Sequence, residues 1–353
     1  MKIWLDMTNA PHARFFKDII DYYLNNGDDL LITTRDFGDL NKLMDDFGFD
    51  YVSVGAHGGA NLSEKLKCSS QRFDELVDIV TSEKIDVALA KHSVELPRIA
   101  FGLNMPNLYV IDNEYAQAVN KITLPLCDRV IAPNVIDTDI LSKYGLDPSK
   151  LIRYDGTSEL MHLKNFNFNP DVFNTLKINL KFDKNILIRP EASMASYLDV
   201  NHEVSVLLSI VNTLKHHANI LLLPRFKAQA SIFKDMDNVT LLDPPVDVSS
   251  IIKSCDLVIG AGGTMNREAA ILNTPIISCY PGKTLAVDQY YIDKGLIFKS
   301  LKEDVILDTA FKILSNDKKE NKTTFSKEYF NKRYDQLFNL IIDNLNNLAK
   351  TKS

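Results

Sequence analysis

The stretch VIGAGGTMNREAAILNTPIIS (258–278) decides how this chain is read. Leu257, Val258 and Ile259 form an apolar run that predicts a buried strand, and Gly260, Gly262 and Gly263 predict a tight turn. Met265 to about Leu272 reads as a helix, and Pro275 opens a second apolar strand. Such a unit brings backbone N–H groups close to an anion and points the positive end of the helix dipole at it. The turn can therefore seat a phosphate, or it can be only a tight connection within an α/β sheet. Glu268 favours the phosphate seat. With Thr264 as N-cap, the capping-box position falls on Arg267, so capping does not explain Glu268. It can be an acidic first-turn residue favoured by the dipole, or its carboxylate can accept two hydrogen bonds from a ribose diol at the strand ends.

Around that stretch, apolar strands alternate with helical patterns. The second half of the chain predicts strands over 185–189, 219–223, 239–242, 257–259 and 275–279. The first half predicts strands over 2–7, 30–34, 51–54, 87–90, 107–112, 129–132 and 151–154. Helices are predicted over 11–26, 38–47, 62–83 and 94–102. Strict alternation implies parallel sheets with helices on both faces and ligands at the carboxyl ends of the strands. The fold class expected is α/β, with two Rossmann-like domains facing a cleft: an N-terminal one over 1–165 and a C-terminal one over 184–315. The polar, Asn-rich 156–184 reads as an interdomain passage and 316–324 (NDKKENKTT) as a solvated linker. Beyond it, Phe330, Tyr334, Leu337, Ile341, Leu345 and Leu348 are spaced as one face of an amphipathic helix within 325–350.

GGTMNREAA followed by LNTPIIS resembles the nucleotide-sugar-binding segment of GT-B glycosyltransferases and of non-hydrolysing UDP-GlcNAc 2-epimerases. Together with MKIWLDMTNAPHARFF at the start and His57-Gly58-Gly59, the chain is similar, from Met1 to about Ser300, to the DUF354 family. The resemblance implies a GT-B fold whose last helix crosses back to the N-terminal domain; a partner-binding helix is the alternative. It also implies that the C-terminal domain takes the nucleotide sugar, UDP-linked, and the N-terminal domain the acceptor. The MurG-type transferases, which the fold also resembles, make a lipid-linked acceptor an alternative to a glycan.

Composition narrows the classes. The 353 residues suffice for two domains with cores of their own. With 45% hydrophobic and 24% charged residues the chain is of the soluble globular type. A net charge of −6 with no long basic run argues against nucleic acid as a partner. Cys68, Cys127, Cys255 and Cys279 form neither a CxxC pair nor a zinc-type cluster and read as free thiols in a reducing compartment. No apolar run approaches the ~20 residues that span a bilayer. The location expected is cytoplasmic, with peripheral attachment at the inner membrane face allowed for, and a homodimer is left open.

Candidate site residues follow the predicted strands. The first opens into DMTNAPHAR (6–14), where the resemblance implies a catalytic base: His12 matches by position, with Asp6 beside it. An imidazole takes a proton from a hydroxyl at neutral pH; the structural reading is that Asp6 and His12 cap the first helix and satisfy one another. His57, Gly58 and Gly59 follow the third strand and suit either close approach to a phosphate or sugar or a surface turn. Asp112-Asn-Glu-Tyr ends the fifth strand where the resembled epimerases carry a catalytic acid, so Glu114 is a candidate for sugar recognition or acid–base work; capping by Asp112 or Asn113 is the alternative. Lys91-His92-Ser93 closes the fourth strand and can line the same place. His162, His202, His216 and His217 read as structural.

In the second half, Arg189 and Arg225 each follow an apolar strand. A guanidinium offers forked donors to a diphosphate, although either can instead form a surface salt bridge. Asp288 and Gln289 match by resemblance a pair that reads donor-sugar hydroxyls. Asp137-Thr-Asp139 spells a metal-binding DxD, but its place at the start of a predicted helix makes it an N-cap, and neither metal nor other cofactor is expected. The leading reading is a GT-B glycosyltransferase, with a non-hydrolysing 2-epimerase second and a non-catalytic nucleotide-sugar-binding protein third. The epimerase pattern has a GTRPE-like first loop and a histidine before Pro-Arg; this chain has DMTNAPH and Leu223.

Overall fold

The apolar runs become two parallel sheets in a computed structural model that describes residues 1–190, 203–225, 227–243, 246–316 and 327–351. The first half forms β1 (Lys2–Met7), β2 (Asp29–Asp36), β3 (Val52–Ala56), β4 (Val87–Lys91), β5 (Asn107–Val110), β6 (Arg129–Pro133) and β7 (Leu151–Tyr154). They lie in the order β3-β2-β1-β4-β5-β6-β7. The second half forms β8 (Asn185–Arg189), β9 (Asn219–Leu222), β10 (Val239–Leu241), β11 (Leu257–Gly260), β12 (Ile276–Ser278) and β13 (Phe298–Lys299). Their order is β10-β9-β8-β11-β12-β13. Every strand pairing in both is parallel.

The chain divides into two compact units, one of 1–164, 285–287 and 327–353, the other of 165–284 and 288–326. In each sheet the strand order reverses once, between β1 and β4 and between β8 and β11. At such a reversal the helices after the two strands leave on opposite faces, and a crevice opens beyond the strand ends. The loops after β1, β4, β8 and β11 are therefore where ligands fit.

In the first unit, β1 is buried on both faces because helices cover both. Ile3, Leu5 and Met7 pack with the helix Ala10–Asn25, through Phe15, Phe16, Ile19, Ile20 and Tyr23. Trp4 points the other way, toward Leu76 and Val80 of the helix Leu62–Thr81. The final helix, Lys327–Lys350, puts Tyr334, Leu337, Ile341, Leu345 and Leu348 into the first of these clusters. Tyr334 Oη donates to Asp18 Oδ2 at 2.6 Å, and Tyr23 Oη to Asn346 Oδ1 at 3.3 Å. Its apolar face is thus spent on the N-terminal unit, as the resemblance implied.

Two details depart from expectation. The helix after the glycine turn is Gly263–Ile271, two residues earlier than predicted, with Gly262 as its extended N-cap (φ −145°, ψ 150°). A two-residue strand, β13, was not predicted. The stretch from 191 to 202, His202 included, Phe226, and 317–326, which takes in the predicted linker from its second residue, lie outside the described residues. Among the described residues no helix is long and apolar enough to cross a membrane.

Candidate functional site

In the second unit, Gly262 rather than Thr264 is the N-cap, so Thr264 is the second helical residue and Glu268 stands in the second turn. Dipole stabilisation fades within the first turn, so the first-turn explanation of Glu268 fails. Its side chain is nonetheless buried, at 4% exposure.

None of Gly260, Gly262 and Gly263 has a positive φ. Space, not backbone conformation, requires them to be glycine. A Cβ on Gly260 would stand 2.0 Å from Asn266 Oδ1, one on Gly262 2.3 Å from Arg225 Nη2, and one on Gly263 2.6 Å from Arg267 Nη1. The turn is bare so that two guanidinium groups can lie against it.

Those cations are held from several sides. Arg189, the last residue of β8, donates from Nη1 to the carbonyls of Leu223 and Pro224, both at 2.9 Å. Arg225 donates from Nε to Pro190 O at 2.9 Å. The loops after β8 and β9 are thereby cross-tied, with Arg225 against the turn and the Arg189 side chain directed to the loop after β9. Arg267 joins them and was not foreseen; it pairs with Asp288 at 2.5 Å. Asp288 is thus engaged by a cation, and Gln289 Nε2 turns along its own helix to Asp293 Oδ1 at 2.7 Å. This pair is not arranged as the resemblance implied.

In the first unit, Asp6 is fully buried at the end of β1. Its Oδ1 accepts from Thr33 Oγ1 and Arg72 Nη2, both at 2.6 Å; its Oδ2 accepts from Ser93 Oγ at 2.5 Å and Arg72 Nη1 at 3.2 Å. Arg72 also reaches Glu95 at 3.0 Å and Val54 O at 2.9 Å. Four donors saturate the Asp6 carboxylate, which makes it the frame of the strand ends rather than a group that meets a ligand. Arg72 lies mid-helix with no motif around it, and only the fold reveals its role.

Nor does Asp6 or His12 cap the first helix; Asn9 is the N-cap, with no side-chain bond to the helix. Thr8 N–H donates to His12 Nδ1 at 3.3 Å, which places the ring proton on Nε2. Burial first, then the charges of Lys91 and His92, holds the His12 pKa well below its ordinary value. At neutral pH, His12 is therefore an uncharged ring with Nδ1 engaged by Thr8 and its proton on Nε2.

The end of β4 supplies a stronger constellation. Lys91 pairs with Asp112 just beyond β5, His92 Nε2 lies 2.9 Å from Asp112 Oδ1, and Ser158 Oγ donates to Asp112 Oδ2 at 2.5 Å. The register that sets Lys91 beside Val110 brings residues 20 positions apart together. His92 has φ 52°, a left-handed conformation that costs a residue with a Cβ about 1–2 kcal/mol and signals an imposed geometry. Glu114 is buried at 1% exposure and its Oε1 accepts from Ala286 N–H at 2.6 Å.

His57 Nδ1 accepts from Gly59 N–H at 3.1 Å, and its ring stacks on Phe37 with centroids 4.2 Å apart. Gly59 has φ 67°, and a Cβ on Gly58 would meet the Glu64 carbonyl carbon at 2.4 Å. Both glycines are thus needed by the turn and its packing on the following helix. Asp137 Oδ1 accepts from Asp139 N–H at 2.8 Å, so the DxD is the N-cap expected of it. His162 lies in the helix Glu159–Leu163, and His216 and His217 are exposed after the helix Glu203–Leu214.

A family described as protein of unknown function (DUF354) matches residues 1–350. An uncharacterised protein of Methanocaldococcus jannaschii is 37% identical over 301 residues, 83% of this chain and 86% of the relative. Among solved structures, UDP-GlcNAc 2-epimerase from Neisseria meningitidis bound to UDP-GlcNAc is similar with a TM-score of 0.73 at 15% identity, covering 98% of this chain and 99% of that one. The UDP-GlcNAc 2-epimerase of M. jannaschii, in complex with UDP-GlcNAc and UDP, gives 0.70 at 16% identity over 96% and 100%. A glycotransferase of kitacinnamycin gives 0.62 at 10% identity over 98% and 99%. The fold is therefore that of the GT-B proteins, two Rossmann-like units in one chain.

Proposed function

We propose that this chain, which belongs to the DUF354 family, transfers a sugar from a UDP-linked nucleotide sugar to an acceptor. The observation that carries the reading is the bare glycine turn at the β8/β11 reversal, with Arg225 over Gly262 and Arg267 over Gly263. A diphosphate there receives the helix N-terminus from below and guanidinium donors from the side. Glu268 is assigned to the ribose diol. As the bond between the anomeric carbon and the phosphate oxygen breaks, the same donors take up the growing charge on UDP. No metal is needed for that step.

In the first unit the base is assigned to His92. Its Nε2 lies against both Asp112 Oδ1, at 2.9 Å, and the Asp112 N–H, at 3.2 Å, and the imidazole takes the acceptor's hydroxyl proton as that oxygen bonds to the anomeric carbon. His12 Nε2–H and Glu114 are assigned to sugar hydroxyls, and Asp6 to holding Ser93 and Arg72 in place.

The likeness to UDP-GlcNAc 2-epimerases over nearly the whole chain favours a second reading, epimerisation at C2. Inverting a carbon that carries hydrogen breaks and remakes a C–H bond, so the two chemistries separate in heavy water. Incubation with UDP-sugars in D2O, read by mass spectrometry, decides between them. Transfer or hydrolysis releases UDP with no deuterium on remaining substrate. Deuterium at C2 would replace transfer with epimerisation, and neither change would leave a binding protein.

A further inference from the structure

We propose that the ends of β1, β2 and β3 form a subsite for a phosphate group, held by Arg35, His57 and Lys65, and that the acceptor therefore carries a phosphate. The inference rests on the transferase reading and adds the chemical class of the acceptor.

Arg35 lies one residue before the end of β2. Its Nη2 donates to Thr8 O at 3.0 Å and Asn9 Oδ1 at 3.4 Å, which anchors the guanidinium at the end of β1. Its Nε is buried with no hydrogen-bond partner among the described residues. A buried N–H of a permanent cation without a partner is unfavourable, and an incoming anion would satisfy it. Phe37 fixes the next step: the Arg35 Cζ lies 5.5 Å from its ring centroid, and the same ring stacks on His57.

The Gly59 N–H bond to Nδ1 places the His57 proton on Nε2, so the ring presents a donor. Burial, Arg35 and Lys65 together lower the His57 pKa. Lys65 is exposed at the first turn of the helix Leu62–Thr81, and its backbone N lies 2.4 Å from where a Cβ on Gly58, the residue after His57, would stand. Asn9 Oδ1 accepts from Arg35 Nη2 instead of capping the helix Ala10–Asn25 and so helps to fix the guanidinium. A fixed fork, a ring N–H and a mobile ammonium match the three outer oxygens of a phosphate monoester. A neutral glycan would leave these charges unanswered.

The experiment follows the His57 ring by NMR in the full-length protein while inorganic phosphate is added. Bound phosphate should raise the His57 pKa, and Lys65→Gln or Arg35→Gln should weaken binding about tenfold or more. Lys65→Gln lies on the surface and keeps the test independent of folding. Glucose 6-phosphate and neutral vesicles doped with phosphatidic acid serve as the soluble and lipid-linked arms. Movement of the ring by either supports the subsite and names the source. If neither these probes nor inorganic phosphate moves the ring, or if the Lys65 and Arg35 variants bind phosphate like the parent chain, the proposal is overturned. UDP release from a nucleotide sugar, measured separately, reports on the transferase reading alone.

Discussion

Arg225 occupies the space that a side chain on Gly262 would need: its Nη2 lies 2.3 Å from where that Cβ would stand. A methyl group at Gly262 can be admitted only by moving the guanidinium off the turn. The obstructing atom ends a flexible side chain, so Gly262→Ala should cost little stability, about 0.5 kcal/mol or less, while lowering UDP affinity about tenfold or more. Gly260→Ala meets the buried Asn266 instead, at 2.0 Å. It should lose about 1–3 kcal/mol of stability in urea denaturation. Equal stability losses in the two variants would contradict this account of the glycines.

Asp6 is predicted to matter for stability first. Asp6→Ala leaves the Arg72 guanidinium buried with only Glu95 as a charged partner. Breaking a buried pair in this way costs about 3–5 kcal/mol. Urea unfolding should show that loss. An Asp6→Ala protein as stable as its parent, but inactive, would return Asp6 to the reacting groups.

The depressed pKa of His12 fixes the sign of a pH effect. The unfolded chain binds a proton near the ordinary pKa of about 6.5, and the folded chain only at lower pH. Stability that is full above about pH 6.5 should therefore fall as pH drops toward the folded pKa, by at most about 1.4 kcal/mol per pH unit. His12→Asn, which keeps an acceptor for Thr8 N–H, should flatten this part of the urea midpoint profile. An unchanged slope would assign the effect to other groups.

Much of the fold is legible in the sequence because parallel strands buried on both faces read as unbroken apolar runs such as VALA (87–90) and ILI (186–188). Their ends are less legible. Gly262 and Gly263 hide the helix start, since either can be extended or helical at little cost, and β13 is too short to leave a pattern. The final helix is read correctly from its apolar face, which fills the core of the first unit. At the candidate site the strand-end rule points to Arg189, Arg225 and Lys91, which the fold places at or just beyond the ends of β8, β9 and β4. It misses Arg72 and Arg267, which lie within helices and gain meaning only from residues 66 and 21 positions away. It cannot read the tautomer of His12, because a single backbone N–H, from Thr8, decides which ring nitrogen carries the proton.

The central claim, that the second unit takes a UDP-sugar, is tested most directly by thermal shift. UDP, GDP, ADP and dTDP, with their common sugar conjugates, would be added to the parent protein and to Glu268→Ala. A ligand at about 100 times its dissociation constant stabilises the folded state by about 2.7 kcal/mol, which raises Tm by several degrees. The account predicts such a shift with UDP-sugars, smaller in Glu268→Ala. No shift with any nucleotide sugar, or one that Glu268→Ala leaves intact, would contradict it.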